Sequence, residues 1–301
     1  MKALKWIALA ALVFGTASAP AQAKVDVVAA TQDLAWLTKA VGGNNVSVEY
    51  LAGSNQDPHS VDPRPSQVAR LSRADAVVRI GMDLDLWFEP LLRAAGNGKI
   101  TRGGRGYIDA SRGIRVLEVP SGKLDPSQGD IHVHGNPHYF YSPTQVDTAA
   151  ANIRDGLKRV DPGQASTYDA GYSAFVAKLN DAVKGWRAKL APHRGKGVVT
   201  YHKSLIYFLT DFGLKQVDEV EPKPGLEPTA GHVAAVARGM KAQGIKAILT
   251  ESWRSRRFAD LLARQSGGQV VVLPGGIGAQ KGVDDYFTLI GTWVDRVASA
   301  L

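Results

Sequence analysis

The chain has 301 residues, of which 45% are hydrophobic and 21% charged, and it contains no cysteine. That length supports a large core, usually divided between two domains, and the balance is that of a folded protein and not of a disordered or fibrous one. Without cysteine there are no disulfides, thiolate metal sites, iron–sulfur clusters or thiol nucleophiles, so any metal must be held by His, carboxylate or backbone oxygen. The formal net charge of +8 falls to +6 once Lys2 and Lys5 of the leader described below are set aside. The excess lies wholly in residues 164–301. No run of five or six basic residues occurs, which argues against a nucleic-acid partner.

In chain order, Lys2 and Lys5 precede an apolar run from Trp6 to Gly15, followed by small residues ending at Ala21-Gln22-Ala23. Basic start, apolar middle and small-x-small end describe a secretory signal peptide over 1–23, with cleavage expected after Ala23 because a cut after Ala19 would leave Pro20 at the new terminus. The run is too short to span a bilayer. With no Cys to carry a lipid, the mature chain is expected to be free in a periplasm, without a stable membrane anchor.

Short β-branched runs then alternate with helical patterns, the signature of parallel sheets covered by helices. Strands are expected near Val25–Ala30, Val46–Ala52, Ala76–Ile80 and Gly106–Ile108, with helices near Asp33–Val41, Pro65–Ser72 and Leu86–Ala95 between them. Ser142-Pro143-Thr144-Gln145 reads as a capped helix start, and Asp161-Pro162-Gly163 as its end. A second helix follows from about Gln164 to Leu190, with Tyr168, Tyr172, Phe175, Val176, Leu179, Val183, Trp186 and Leu190 at helical spacing. Strands resume near Gly197–Tyr201, Lys215–Val220, Lys246–Thr250 and Gln269–Leu273. The last helix presents Phe287, Ile290, Val294 and Val297. The expected fold is therefore α/β with two lobes, 24–163 and 192–301, joined by a rigid helix over 164–191 that permits only a modest closing motion.

Four chemistry-bearing residues fall beyond the carboxyl ends of strands, where parallel sheets bind ligands. These are His59, His138, His202 and Asp284, two from each half, so that a cleft between the lobes gathers them. Three imidazoles and one carboxylate make a set that Zn²⁺ accepts. Their separations carry no local metal signature, and taken singly each His reads equally well as a hydrogen-bonded loop residue. Pro58 and Pro137, each directly before a His, restrict the backbone that presents the ring.

The motifs are more specific. Asp57-Pro58-His59-Ser60 with Pro63-x-Pro65-Ser66, Asn136-Pro137-His138-Tyr139 with Pro143, Tyr201-His202-Lys203-Ser204, Gly225-Leu226-Glu227-Pro228-Thr229, Ile248-Leu249-Thr250-Glu251 and Asp284-x-Tyr286 occur in this order. Together they resemble the zinc and manganese group of solute receptors of ABC importers, over essentially the whole mature chain. The resemblance implies metal ligands His59, His138, His202 and Asp284, a cargo of Zn²⁺ in preference to Mn²⁺ because the third ligand is His202, an inner-membrane ABC permease as partner, a monomer, and no catalytic activity. A nitrogen-rich site agrees with zinc. The alternatives are a manganese-type receptor of the same family and a secreted zinc hydrolase, in which Asp284 or Glu251 would act as base; the absence of H-E-x-x-H argues against the hydrolase. Phe140-Tyr141-Ser142-Pro143 departs from the family's usual Trp-Leu-Asp-Pro. A long His-rich loop is also missing, its nearest equivalent being His132 and His134, which read as solvated imidazoles or as residues that pass metal to His138. Glu251 reads as a support for the site and not as a fifth ligand.

Overall fold

The computed structural model describes residues 23–120 and 132–301. The leader expected over 1–23 lies outside the described residues except for Ala23, as do Gly129, Asp130 and Ile131. Four strands, β1 (Val25–Thr31), β2 (Val46–Ala52), β3 (Ala76–Arg79) and β4 (Tyr107–Asp109), form an all-parallel sheet in the order β2-β1-β3-β4. A second parallel sheet has the same pattern, β6-β5-β7-β8, from β5 (Gly197–Thr200), β6 (Lys215–Glu219), β7 (Ala247–Glu251) and β8 (Gln269–Leu273). Central strands β3 and β7 are buried throughout, as near-continuous apolar runs in parallel sheets should be.

The first sheet is flanked by α1 (Gln32–Gly42), α2 (Pro65–Leu71), α3 (Phe88–Ala95) and α4 (Pro143–Val160). The Ser142 hydroxyl accepts from the Gln145 N–H and Pro143 opens α4, which is the start the sequence predicts. A single turn at Pro162–Gln164 separates α4 from α5 (Ala165–Leu190), whose Tyr168, Phe175, Leu179, Trp186 and Leu190 are buried. The second sheet carries α6 (Ile206–Phe212), α7 (Ala230–Gln243), α8 (Arg257–Ser266) and α9 (Tyr286–Ala300). Glycines in the left-handed region end α3, α6, α7 and α8, where only Gly avoids a Cβ clash at no cost.

The lobes are not separate bodies of packing. One apolar core runs from α1 and the first sheet through Tyr139, Phe140 and Tyr141, along α5, and into Leu205, Phe208, Leu273 and the buried face of α9. Tyr141 meets Trp293 with ring centroids 4.5 Å apart, and Trp36 lies 6.1 Å from Phe287. A smaller cluster around Val199, Val236, Met240 and Leu262 belongs to the second lobe alone. Polar contacts fasten the same boundary. The Ile277 N–H donates to Asp33 at 2.7 Å, the Tyr141 hydroxyl donates to the Gly275 carbonyl at 2.9 Å, and Ser54 bonds the Ile277 carbonyl. The glycine-rich stretch 274–278 thus docks on the opposite lobe. A Cβ at Gly276 would stand 2.9 Å from both Asp33 oxygens, so the close approach requires Gly there.

Candidate metal site

Both sheets present their strand carboxyl ends to one cleft, and three imidazoles meet in it. His59 arrives on the loop between β2 and α2, His138 on the approach to α4, and His202 directly beyond β5. Their ring centroids are 5.0 to 5.3 Å apart, and one ring nitrogen from each lies within 4.8 Å of the other two. His138 and His202 are buried and His59 is partly so.

Each ring is oriented by an oxygen on its Nδ1. In Asp57-Pro58-His59 the Asp57 carboxylate accepts from the His59 backbone N–H at 2.9 Å and lies 2.7 Å from Nδ1. Asn136-Pro137-His138 repeats the device: Oδ1 accepts from the His138 N–H at 3.0 Å and lies 2.9 Å from Nδ1. Both are Asx turns, in which a short side chain caps the backbone two residues on, and the intervening Pro stiffens the turn. His202 is held from further away, with Nδ1 2.8 Å from Glu221 Oε2. Because a carboxylate only accepts, Nδ1 of His59 and His202 must carry the proton, and the acceptor oxygen of Asn136 imposes the same on His138. All three rings therefore offer the Nε2 lone pair. His138 Nε2 is buried with no hydrogen-bond partner, a costly state for a polar atom unless a ligand completes it.

The supports are themselves anchored. The Pro58 carbonyl accepts from Trp87 Nε1 at 2.9 Å. Trp87 ends a loop fixed by the buried Arg79, whose Nε and Nη2 donate to the two oxygens of Asp85, each at 2.9 Å. Asn136 Nδ2 donates to Glu118 and to the Lys203 carbonyl, both at 2.9 Å, so the segments that carry His138 and His202 share a bond.

The electrostatics favour the neutral form of His138 and His202. Burial, followed by the charges of the neighbouring rings and of Arg254, holds His138 well below the ordinary imidazole range. His202 is also lowered, by burial and Arg254 working against its bond to Glu221. Burial alone would raise Asp57, but its bond to His59 and the nearby Arg254 bring it down to about 2, so it remains an acceptor.

A fourth imidazole stands beside the three. His132 Nε2 is 3.2 Å from His59 Nε2 with the rings stacked at 5.2 Å, and burial with the His59 and His202 charges pushes His132 down to about 3. Its neighbour His134 is exposed, 3.5 Å from Asp83. Sequence spacing had no means of separating these two, because only the folded cleft shows that one turns inward. Asp284 is not brought to the imidazoles in this structure. It is exposed, one residue before the Asp285 that caps α9, and lines a separate groove with Gln32, Trp36, Tyr50 and Ile277. Glu251 is buried at the end of β7, where it takes the Ser204 hydroxyl and faces Arg254. Beside the rings opens a cleft of about 550 Å³ whose walls include His132, His138, His202, Glu118, Glu219 and Lys203. No helix among the described residues is long and apolar enough to cross a membrane.

The chain is similar to known proteins in sequence and in fold. Zinc-binding protein AdcA of Streptococcus pyogenes serotype M6 is 28% identical over 281 residues, covering 90% of this chain and 55% of AdcA, so the chain spans about half the length of that relative. The high-affinity zinc uptake system protein ZnuA of Bacillus subtilis is 26% identical over 83% of this chain and 78% of its own length. A zinc-bound ZnuA deletion mutant superposes with a TM-score of 0.77 at 26% identity, covering 92% of this chain and 98% of the other. The model of the family described as zinc-uptake complex component A, periplasmic (ZnuA), matches residues 27–300, and the chain belongs to that family.

Proposed function

We propose that the protein captures Zn²⁺ in the inter-lobe cleft through Nε2 of His59, His138 and His202 and delivers it to an inner-membrane ABC permease. The observation that carries this reading is the set of converging imidazoles with protonated Nδ1 atoms and an unpartnered, buried Nε2 on His138. Zinc takes nitrogen donors at about 2.0–2.1 Å in a tetrahedron, which places neighbouring donors roughly 3.3 Å apart. The 3.2 Å between His59 Nε2 and His132 Nε2 matches that edge. His132 is therefore our fourth donor, in preference to Asp284, which would have to leave its groove to reach the ion. Four nitrogens suit Zn²⁺ better than Mn²⁺, which favours oxygen and more ligands. They also close the position that a hydrolytic water would need, which favours a receptor over a hydrolase. The relatives' printed names, zinc-binding protein and zinc uptake protein, support the same reading. Cleavage after Ala23 would release a monomeric receptor of two lobes, 24–163 and 192–301, joined by 164–191.

Metal analysis and competitive titration of Zn²⁺ against Mn²⁺ test this on the wild type and on the His202→Ala, His132→Ala and Asp284→Ala variants. One Zn²⁺ per chain, lost in His202→Ala and weakened in His132→Ala but not in Asp284→Ala, is expected. Absence of zinc binding by the wild type would falsify the reading, and loss in Asp284→Ala alone would restore the carboxylate as fourth ligand.

A further inference from the structure

His202 differs from the other two rings in how it is held. Asp57 and Asn136 stand two residues before their rings, whereas Glu221 comes from beyond β6 and belongs to a buried chain of charges. Glu221 Oε2 faces His202 Nδ1 at 2.8 Å and accepts from the Gly225 N–H at 3.3 Å, while its Oε1 accepts from Arg254 Nη1 at 2.8 Å. Arg254 Nε lies 3.2 Å from Glu251 Oε2, and Ser204 bonds the other Glu251 oxygen. The guanidinium is packed over Trp253 at 4.2 Å and Tyr201 at 5.3 Å. None of the three charged side chains is more than 8% exposed.

Two carboxylates and one guanidinium buried together are an inefficient way to stabilise a fold, since desolvation offsets most of their attraction. Their position suggests another use. An anion accepting from Nδ1–H makes the opposite ring nitrogen a stronger donor to a metal. A fixed cation in the same dry pocket opposes the arrival of a dication. Glu221 and Arg254 therefore act on the cargo with opposite signs, and Glu251 compensates part of the Arg254 charge.

We propose that the buried Glu221–Arg254–Glu251 chain sets how tightly the site grips its metal: Glu221 positions His202 and strengthens it as a donor, and Arg254 withdraws part of that gain so that the ion can be released. Glu221 is a positioning residue that acts through His202. The inference rests on His202 being a ligand.

The test measures the zinc dissociation constant by competition with a chromophoric chelator, and the release rate by a chelator chase, on the full mature chain. Glu221→Gln should weaken binding by about 10–100-fold. In the zinc-free variant the ¹⁵N signals of His202 should lose the pattern of a single tautomer protonated at Nδ1. Arg254→Gln should tighten binding and slow release, by about threefold or more, and Arg254→Lys should remain near wild type. A merely structural role predicts that Glu221→Gln and Arg254→Gln both weaken binding, and that result overturns the proposal. If Arg254→Gln does not fold, Glu251→Gln decides, because it keeps the Ser204 bond and leaves the guanidinium less compensated: weaker binding and faster release support the proposal, and unchanged values overturn it. His202→Ala separates the two levels. Wild-type affinity in that variant defeats the ligand assignment, whereas lost affinity there with wild-type behaviour in Glu221→Gln defeats this inference alone.

Discussion

At the level of single residues, each of the three rings proposed as ligands is paired with an oxygen that decides which nitrogen is turned to the cleft, and the burial of these rings has a consequence for pH. Metal capture needs neutral imidazoles. His138 and His202 lie below the ordinary imidazole value of 6.5, and His132 lies at about 3. His132, His138 and His202 are therefore neutral more readily than imidazoles in water, so apparent affinity should decline at a lower pH than it would if they titrated as free imidazoles. The sign for stability is the same. At these three rings the unfolded chain binds more protons than the folded one below about 6.5, so their contribution to the stability of the metal-free protein is lost as pH falls through that range. Chelator competition from pH 5.5 to 8 checks the first statement, and a loss of three protons' worth of affinity between pH 7 and 6.5 would contradict it. The three converging rings were legible in the sequence because Pro stands before His59 and His138 and His202 directly follows a strand. The Nδ1 partners were half legible: Asp57 and Asn136 sit in the quoted tripeptides, but Glu221 is brought to His202 by the parallel pairing of β5 and β6, which no local pattern reveals.

At the level of elements, the βα alternation placed every strand within a residue or two, and the Ser142 cap and the Asp161-Pro162-Gly163 break bound α4 as expected. These features are local, written in period, cap and breaker. Contacts between elements were not legible. Gly171 on α5 is such a case: a Cβ there would stand 2.1 Å from the Val41 carbonyl at the end of α1. The helices can cross this closely only where one of them lacks a side chain. Gly171→Val should force α1 from α5 and destabilise the protein by about 1–3 kcal/mol or more, as overpacking does, with urea unfolding as the measurement. A cost under about 0.5 kcal/mol would mean that the crossing relaxes freely.

For the whole molecule, the sequence suggested two lobes and a helical strut, and both sheets and the strut are present. What it did not convey is that one apolar core crosses the boundary, because long-range side-chain packing leaves no periodic trace. A shared core couples the lobes energetically. Calorimetry of the metal-free chain should therefore show a single transition, and zinc at about a hundredfold excess over its dissociation constant should add about 2.7 kcal/mol to the whole of it. Two resolved transitions, with zinc moving one of them, would show that the lobes unfold independently.

The shared core also bears on how the chain is made. Part of the first lobe's interior is supplied by α9, through Trp293 against Tyr141 and Phe287 against Trp36, and α9 is synthesised long after the rest of that lobe. The first lobe cannot complete its packing while that helix is still unsynthesised, and domains generally fold as units. Closure of the first lobe therefore waits for α9, and until that helix is made the growing polypeptide stays open around the positions its imidazoles will take.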